Sequence, residues 1–527
     1  MKSLLVAVDV GTGSARAGVL TAQGALLGRA EHAIAMNRSD ANHAEHDSEQ
    51  IWHSVCAAVR DALALAAVDP ADVVGLSFDA TCSLVVRDGD GRPVTVSASG
   101  ADNWDTIVWL DHRALAEAEE CTATGHNVLT YVGGVMSPEM EVPKLMWLKR
   151  HMSDTWDRAG MMFDLADFLS WKATGSLARS QSTLTCKWTY LAHDDSGWQP
   201  DFLASMGLED MLNKAALPDR ASPVGKDLGP LTAAAAAELG LTTACRVGAG
   251  LIDAHAGALG VLGAFAGDVG TIDRHLALIA GTSSCVMALS AEDRPTAGVW
   301  GPYLGAVLPG VWLNEGGQSA TGALLDHIIR WHGAGGEPSA ERHQQIAARI
   351  MALRQHEGLS LAHRLHVLPD FHGNRSPLAD PFALGVISGL TLDSDFDSLC
   401  RLYWRTAVSI ALGVRHILET LNKRGYAIDT LHVTGGHTKN AILMELYADA
   451  TGCTVVESSA ADATLLGMAM VAATAAGLYP SLDAACVAMQ QGGTARAPDA
   501  AARAHFDSDY RIFIEMQRQR QSLDAMT

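Results

Sequence analysis

Long apolar segments and an excess of positive charge are both missing from this sequence. No stretch of about 18 uncharged apolar residues occurs, so no membrane-spanning helix is predicted. The apolar run after Met1 is interrupted by Asp9 and Gly11, too early for the hydrophobic region of a signal peptide. The 38 basic and 59 acidic residues leave a formal charge of −21, which argues against binding to nucleic acid or to an anionic membrane surface.

Paired cysteines are missing as well. The nine cysteines are scattered along the chain, their number is odd, and no two form a C-x-x-C pair. This usage is typical of a reducing compartment and argues against a disulfide scaffold or a zinc site. We therefore expect a cytoplasmic protein. With 527 residues the chain is too long for a single hydrophobic core, so two large domains are expected.

Two similar patterns open the two halves of the chain. Each has a short apolar run, a turn of small residues and a second apolar run, which predicts a strand, a tight turn and another strand. The first covers residues 4–20 and turns at Gly11-Thr12-Gly13, and the second covers residues 276–289 and turns at Gly281-Thr282-Ser283-Ser284. The repetition indicates an internally duplicated α/β architecture.

A glycine-rich stretch between Gly257 and Gly270 separates the two sets of strand and helix patterns, and we expect the hinge there. The predicted domains are residues 1–262 and residues 270–480. Residues 481–527 are predicted to form a helical tail, in which a polar helix from Asp507 to Leu523 serves packing only.

The first turn has the composition of a phosphate-binding loop. Its small residues Gly11, Thr12, Gly13 and Ser14 would let backbone N–H groups approach phosphate oxygens, and Asp9 at the strand end can hold Mg²⁺ through water. An ordinary hairpin turn is the alternative. The sequence contains neither a P-loop nor a G-x-G-x-x-G dinucleotide pattern at this place.

The second turn, at Gly281 and Thr282, can serve the terminal phosphates from the opposite domain. Two phosphate-binding turns that face each other across a cleft are the plan of actin-like ATPases, in which domain closure brings ATP to its acceptor. The pair of turns is therefore more informative than either turn alone.

Asp253 lies between an apolar strand end and a helix start rich in alanine and glycine. At this place a carboxylate can accept the proton of a sugar hydroxyl as its oxygen attacks the γ-phosphate of ATP. A helix N-cap is the alternative role. His255, two residues further on, is interpreted as a structural residue.

A strand pattern followed by Gly435 and Gly436 leads into a helix near Asn440. Glycines at this point would let an adenine lie against the backbone, with Asn440 near the edge of the base. The alternative is a tight turn without a ligand.

These four elements, in this order and spacing, resemble the FGGY carbohydrate kinases over essentially the whole chain, from Val6 to about Leu478. The resemblance implies an α/β fold of two actin-like (ribonuclease H-like) domains with the active site in the cleft between them. It implies ATP and Mg²⁺ as cofactors, with Asp9 on Mg²⁺ and Asp253 as the catalytic base. The residues that it places on ATP are Gly11, Thr12, Gly13, Ser14, Gly281, Thr282, Gly322, Gly435, Gly436 and Asn440.

The substrate class follows from residues 78–84, where members of the family differ most. The Asp-Ala-Thr-Cys-Ser-Leu run in this segment resembles the ribulokinase-like branch, and most closely the D-ribulose kinases. Neither the Gln-Met-His segment typical of xylulose kinases nor the Arg-Glu pair of glycerol kinases is present. The residues that the resemblance places on the sugar are Ala80, Thr81, Cys82, Asp111, Lys187, Asp253 and Glu315.

Several of these residues have plainer alternatives. Lys187 could be a surface lysine, Glu315 a charge at a strand end, and Asp111 with Arg113 a local ion pair. Whether Cys82 contacts the sugar or only packs is left open.

The function implied is phosphorylation of a ketopentose at its terminal primary hydroxyl, with D-ribulose as the first choice. L-Ribulose, ribitol or another pentulose or polyol are alternative substrates, and a non-catalytic sensor of nucleotide or sugar is an alternative of a different class. The expected partners are the sugar and ATP. The sequence does not give the oligomeric state, although homodimers are common among the relatives.

Overall fold

Short apolar runs, glycine turns and longer helical segments alternate along the chain, and the computed structural model describes residues 3–268 and 270–526. The strands are β1 Leu4–Val10, β2 Ser14–Thr21, β3 Leu26–Ala33, β4 Glu45–His46, β5 Val73–Ala80, β6 Leu84–Arg87, β7 Thr106–Ile107, β8 Met161–Asp164, β9 Asp227–Pro230, β10 Arg246–Ile252, β11 His275–Ala280, β12 Ser284–Ser290, β13 Trp300–Leu304, β14 Trp312–Gln318, β15 His366–Leu368, β16 Val386–Ser388, β17 Thr430–Thr434, β18 Thr454–Ser458 and β19 Gly493–Arg496.

The α-helices are α1 Ser48–Ala66, α2 Leu115–Ala123, α3 Glu141–His151, α4 Ser153–Arg158, α5 Leu165–Thr174, α6 Gln181–Lys187, α7 Pro200–Ser205, α8 Met211–Lys214, α9 Ala233–Leu239, α10 Asp253–Leu262, α11 Gly322–Trp331, α12 Ala340–Glu357, α13 Phe396–Asn422, α14 Ala441–Thr451, α15 Ala463–Ala475, α16 Leu482–Met489 and α17 Ala500–Asp524. Among the described residues, no helix is both long and apolar enough to cross a membrane.

Two large mixed sheets repeat the same strand order. The first has the order β3-β2-β1-β5-β10-β9, in which β1, β5 and β10 are parallel and the other neighbours are antiparallel. The second contains β14-β12-β11-β17-β18-β19 with the same directions, and β13 extends it at one edge. This repetition confirms the predicted duplicated α/β architecture.

Two smaller sheets are inserted between the repeated elements. The four-stranded sheet β4-β7-β6-β8 lies in the first half of the chain, and the two-stranded sheet β15-β16 lies in the second half. Strand β6 follows the end of β5 after only three residues, so the inserted sheet begins at the segment that the sequence associates with the sugar.

Helix α10 of the first half and helix α15 of the second half pack with their backbones in direct contact. A Cβ atom added at Gly260 would lie 1.9 Å from the carbonyl oxygen of Ala463, and one added at Gly467 would lie 2.2 Å from that of Ala256. Helix α15 also packs against β1, β5 and β10, so this element of the second half covers the first sheet. Only glycine permits backbones to approach this closely.

The predicted hinge stretch is helical at its start. Helix α10 continues through Gly257 to Leu262 and is followed by a short 3₁₀ helix, Gly263–Phe265. Val269, near the end of the stretch, lies outside the described residues.

The tail is more structured than the sequence indicates. Strand β19 pairs with β18 and so extends the second sheet. Helix α17 begins at Ala500, seven residues before the predicted start at Asp507, because Asp499 caps it by accepting hydrogen bonds from two backbone N–H groups. The buried ion pair between Arg405 and Asp509, with N···O distances of 2.8 Å, fixes α17 against α13.

The contact between α10 and α15 predicts that glycine-to-alanine substitutions at two positions of α10 differ in their effect on the free energy of unfolding. Replacing Gly260 with alanine should lower the free energy of unfolding by about 2 kcal/mol, because the new methyl group meets backbone atoms that cannot rotate away. Urea denaturation followed by circular dichroism measures this loss.

Gly257→Ala is the matched control in the same helix. Its added Cβ would meet side-chain atoms, Ile279 Cγ1 at 3.2 Å and Thr464 Oγ1 at 3.5 Å, and not backbone, so a change of less than about 1 kcal/mol is expected. Equal stability of the two variants would contradict the close helix contact.

Candidate active site

Three carboxylates meet where neighbouring parallel strands of the first sheet end. Asp9 on β1 is in register with Asp79 on β5. Asp253 follows β10 directly and is the first residue of α10. Because β1, β5 and β10 are adjacent and run in the same direction, their carboxyl ends lie together, which is the usual ligand position in open α/β sheets.

One guanidinium group faces this group of acids. Arg16 on β2 lies opposite Asp9, and its Nη2 atom is 3.2 Å from Asp9 Oδ1 and 3.0 Å from Oδ2. Burial raises the pKa of Asp9 to about 7; Arg16 opposes this shift, whereas Asp253 and Asp462 add to it. The acids outnumber the base, so this end of the sheet attracts a cation.

Asp79 is the least satisfied of the three acids. It is completely buried, and none of the donors among the described residues serves its carboxyl oxygens; its side-chain hydrogen-bond neighbour is the carboxyl group of Asp9. Burial, followed by the charges of Asp9 and Asp253, raises its pKa well above the ordinary range. The sequence analysis did not select Asp79, although its position at a strand end beside Asp9 is a signal that could have done so.

The donor set at this place is consistent with Mg²⁺. Among the described residues, no group of three or more His, Cys, Asp or Glu side chains is arranged to hold a metal ion by itself. Mg²⁺ usually keeps several waters and binds through one or two carboxylates together with substrate phosphates. Asp9, with Asp79 beside it, provides such carboxylates.

Asp253 does not serve as the N-cap of α10. The N-cap residue is Ile252, and among the described residues the Asp253 side chain accepts one hydrogen bond, from the adjacent N–H of Ala254 at 2.7 Å from Oδ1. Burial raises its pKa, against the effects of that N–H, Arg16 and His255. The side chain remains partly exposed, so its second oxygen is available to a ligand.

The two glycine turns have similar internal hydrogen bonds. In the first, the N–H of Gly11 donates to the carbonyl of Ser14 at 3.0 Å, and the hydroxyl of Thr12 accepts from the Trp109 indole at 2.9 Å. In the second, the N–H of Gly281 donates to the carbonyl of Ser283 at 2.8 Å. Both are tight turns that join two antiparallel strands, as the sequence predicts.

Gly322, at the start of α11, lies against the second turn. Its N–H donates to the carbonyl of Gly281 at 3.1 Å, and the carbonyl of Thr282 accepts hydrogen bonds from the N–H groups of Thr321 and Ala323. The structure thus brings Gly281, Thr282 and Gly322 together. Their contact with ATP stays a prediction.

The Gly435 turn also lies beside the second glycine turn. Gly435 has φ of +92°, and an added Cβ would lie 2.5 Å from the carbonyl oxygen of Ala280, so the position requires glycine. Asn440 caps α14 by accepting from two backbone N–H groups, and its amide donates to the Tyr403 hydroxyl at 3.2 Å. Contact of Gly435, Gly436 and Asn440 with an adenine stays a prediction.

Lys187 and Glu315 are buried side chains that the fold brings to one place. Lys187 is only 3% exposed and lies with its ammonium 4.4 Å from the centre of the Trp300 ring, so it is not a surface lysine. Glu315 is 6% exposed and lies in the middle of β14, so it is not a solvated charge at a strand end. Burial alone would lower the pKa of Lys187, but neighbouring negative charges, including those of Glu315 and Glu139, raise it.

His255 is the main partner of Glu315. It is completely buried, its Nε2 lies 3.1 Å from Glu315 Oε2, and its Nδ1 lies 3.0 Å from the Ser182 hydroxyl. It therefore fixes the orientation of Glu315 from a position two residues after Asp253. The sequence interpretation of His255 as structural did not foresee this contact, because the two residues are 60 positions apart.

Asp111 forms the local ion pair that was the alternative interpretation. Its two carboxyl oxygens accept hydrogen bonds from the Arg113 side chain, at 2.9 and 2.7 Å, and from the backbone N–H groups of Arg113 and Ala44. The residue is completely buried. A role for Asp111 in sugar binding stays a prediction.

Residues Ala80 to Ser83 connect the first sheet with the inserted sheet. Ala80 ends β5, and the N–H of Thr81 donates to the carbonyl of Val10 at 3.0 Å. Burial raises the pKa of Cys82 to about 12, so this residue remains a neutral thiol at physiological pH. These contacts hold the segment beside the end of β1.

A further cation reaches this region from the second half of the chain. Arg375 lies 3.7 Å from Glu139 Oε1, and its guanidinium faces the rings of Trp109 and Trp300 at 5.9 and 5.6 Å. No role was predicted for Arg375 from the sequence. Its partner Glu139 had no sequence signal, since a single glutamate in a loop is usually solvated.

Comparison with known protein families identifies the family to which this chain belongs. Residues 4–260 match the N-terminal domain of the FGGY family of carbohydrate kinases, and residues 276–476 match the C-terminal domain. The chain belongs to this family. It is therefore an ATP-dependent carbohydrate kinase.

Two relatives and one solved structure illustrate the similarity. An FGGY carbohydrate kinase domain-containing protein of Danio rerio is 44% identical over 99% of this chain and 98% of its own length. A D-ribulokinase of Saccharomyces cerevisiae is 37% identical over 89% of this chain and 71% of its own length. The crystal structure of xylulose kinase from Rhodospirillum rubrum, 23% identical, superposes with a TM-score of 0.82 over 99% of both chains, which shows the same two-domain, actin-like fold with its cleft.

The contact between His255 and Glu315 predicts a selective kinetic defect in this kinase. Replacing His255 with alanine leaves the Glu315 carboxylate buried without its partner, so the KM for the sugar should rise about tenfold. The KM for ATP should change less than twofold. Steady-state kinetics with each substrate varied in turn measures both values.

Ser182→Ala is the control, since it removes the hydrogen bond on the far side of the His255 ring together with a long one, at 3.4 Å, from the Ile252 N–H. A smaller rise in the sugar KM is expected from it. An equal rise in both KM values for His255→Ala would indicate general damage to the fold.

Proposed function

We propose that this kinase transfers the γ-phosphoryl group of ATP to the terminal primary hydroxyl of D-ribulose and forms D-ribulose 5-phosphate. The observation that carries the proposal is the combination of Asp253, free of any capping role, with the buried pair of Lys187 and Glu315. The Asp-Ala-Thr-Cys-Ser-Leu segment at residues 79–84 and the 37% identity to a D-ribulokinase support the choice of sugar.

Asp253 acts as the general base in this proposal. Its Oδ1 is fixed by the N–H of Ala254, which leaves Oδ2 to accept the proton of the attacking hydroxyl. Burial raises its pKa, which makes the carboxylate a better proton acceptor than an exposed aspartate. The position at the start of α10 holds this side chain rigidly.

The phosphates are held by backbone N–H groups of the two turns, with Gly11 to Ser14 on one side and Gly281 and Thr282 on the other. Gly322, Gly435, Gly436 and Asn440 hold the remainder of ATP. Mg²⁺, when bound, neutralises charge on the phosphate oxygens, and Asp9 and Asp79 are the residues that would hold it. Arg16 keeps the Asp9 carboxylate oriented toward that position.

The sugar lies against the inserted sheet in this proposal. Lys187 donates hydrogen bonds to the oxygens of the ketose, and Glu315 accepts them from its hydroxyls. A buried ammonium and a buried carboxylate suit a ligand that offers both acceptors and donors at neighbouring carbons, as a ketopentose does. The backbone at Ala80 and Thr81 lines the same place.

Replacing Asp253 with asparagine tests the role of the base. The amide cannot accept the proton at this position, so kcat should fall about a thousandfold, while the Kd for ATP should stay within about twofold of the wild-type value. A coupled ADP-release assay and isothermal titration calorimetry measure these two quantities.

Asp61→Asn is a suitable control because Asp61 is exposed and pairs only with His32 at the surface. It removes the same charge and should leave kcat unchanged. Substantial activity in Asp253→Asn would exclude Asp253 as the base.

A substrate panel tests the choice of sugar. With ATP and Mg²⁺, the kinase should show a kcat/KM for D-ribulose at least about tenfold above those for L-ribulose, D-xylulose, ribitol and glycerol, since one lost buried hydrogen bond costs about this factor. Preference for another sugar would keep the fold and the base but reject the specificity. No turnover of any sugar would favour the sensor alternative.

A further inference from the structure

Three charged side chains behind the sugar segment are completely buried. They are Glu141 and Lys144 on α3 and Asp164 at the end of β8. Lys144 Nζ and Glu141 Oε2 lie 3.5 Å apart and form a buried ion pair, and neither this pair nor Asp164 has a further hydrogen-bond partner among the described residues. We call these residues the inner triad.

Burying these charged groups without hydrogen bonds costs free energy unless another group satisfies them. Buried charges are normally paired and hydrogen-bonded, and leaving one unsatisfied costs several kcal/mol. Asp167, three residues after Asp164, shows that this region can satisfy a buried carboxylate, since it accepts hydrogen bonds from the Ser180 N–H at 2.7 Å and the Thr183 hydroxyl at 2.6 Å. Glu141 and Lys144 pair only with each other among the described residues, and Asp164 has no partner there, so the inner triad keeps hydrogen-bonding capacity for a ligand.

The fold places the inner triad directly behind the segment assigned to the sugar. In the inserted sheet, Asp164 on β8 is in register with Leu84 on β6, two residues after Cys82. Glu141 and Lys144 lie one turn apart on α3, so their side chains project from the same face of the helix. The side chains of the triad thus converge next to residues 81–84.

The charges that act on Cys82 also indicate that the inner triad lies beside the sugar segment. Burial is the largest cause of its raised pKa, and the charges that act on it are those of Lys187, Asp164, Lys144 and Asp253. Lys187 also lowers the pKa of Glu141, which burial raises to about 7. The triad is therefore an electrostatic neighbour of Lys187.

The charged groups form a series from Asp253 to the triad. Asp253 is influenced by His255 and Glu315, and Glu315 is influenced by His255 and Lys187. Lys187 in turn acts on the carboxylates of the triad. Glu315 and the triad are therefore both electrostatic neighbours of Lys187, and β8, which ends at Asp164, pairs with β6 directly after the sugar segment.

We propose that Glu141, Lys144 and Asp164 form the inner end of the sugar site and bind the hydroxyl group at the end of the substrate opposite the phosphorylated hydroxyl. Lys144 donates to the oxygen of that hydroxyl, and Asp164 or Glu141 accepts its proton in a hydrogen bond. The residues bind and select; no bond is formed or broken there. This inference rests on the proposed function, because the ligand is the ketopentose.

The test compares D-ribulose with 1-deoxy-D-ribulose, which lacks only the hydroxyl assigned to the triad. The wild-type enzyme should prefer D-ribulose about tenfold in kcat/KM, and Asp164→Asn and Glu141→Gln should reduce this preference to less than twofold. The variants should lower kcat/KM for D-ribulose and not for the deoxy sugar, since the deoxy sugar makes no contact with the triad. Lys144→Met should act in the same direction.

Asp167→Asn is the matched control, since it changes an equally buried carboxylate that already has protein partners. It should lower kcat/KM for the two sugars by the same factor, if at all. Circular dichroism and thermal denaturation identify any variant that fails to fold, and the two isosteric amide variants keep the test valid if Lys144→Met does not fold.

A binding measurement separates this inference from the proposed function. Without ATP, D-ribulose should raise the Tm of the wild type and of Asp167→Asn but not that of Asp164→Asn. Equal Tm shifts in all three proteins would overturn the inference. Equal losses of kcat/KM for both sugars in Asp164→Asn and Glu141→Gln would do the same, and water would then be the partner of the triad. Binding of D-ribulose without turnover would overturn the proposed function and leave the triad supported.

Discussion

The near contact of α10 and α15 determines where both sides of the active site lie. Helix α10 begins with Asp253, and α15 begins after its cap Asp462, whose charge reaches Asp9. Gly260 lies against Ala463 and Gly467 against Ala256, so the two backbones are in direct contact. The charges of Asp253 and Asp462 both act on Asp9, so Asp253, which we propose as the base, shares one electrostatic environment with the acid at the end of β1.

The fold and the two turns could be predicted because their signals are local. An apolar run, a glycine turn and another apolar run are visible within about 20 residues, and each half of the chain repeats them. Asp9 and Asp253 stand at strand ends, which the same patterns locate. Asp79 has an identical signal, and it escaped attention only because it lies inside a segment interpreted as a sugar motif.

Contacts between distant positions could not be predicted in this way. The pairs His255 with Glu315 and Arg375 with Glu139 join residues that are far apart in sequence, and nothing local in the chain specifies them. Glu141 and Lys144 give a misleading signal, since a glutamate three residues before a lysine on a helix usually forms a solvated surface pair. The tertiary packing of α3, which includes contacts with α2 and α4, turns that pair inward.

The repeated sheets have diverged in charge while keeping their geometry. The positions of the second sheet that correspond to Asp9 and Asp79, two residues before the turn and its register partner, are Ile279 and Thr434. The repeat therefore provides two similar scaffolds, of which only the first has acids at these two strand-end positions. In the proposed function, the acidic strand ends lie beside the base, and the neutral strand ends of the second sheet accommodate the phosphates without repelling them.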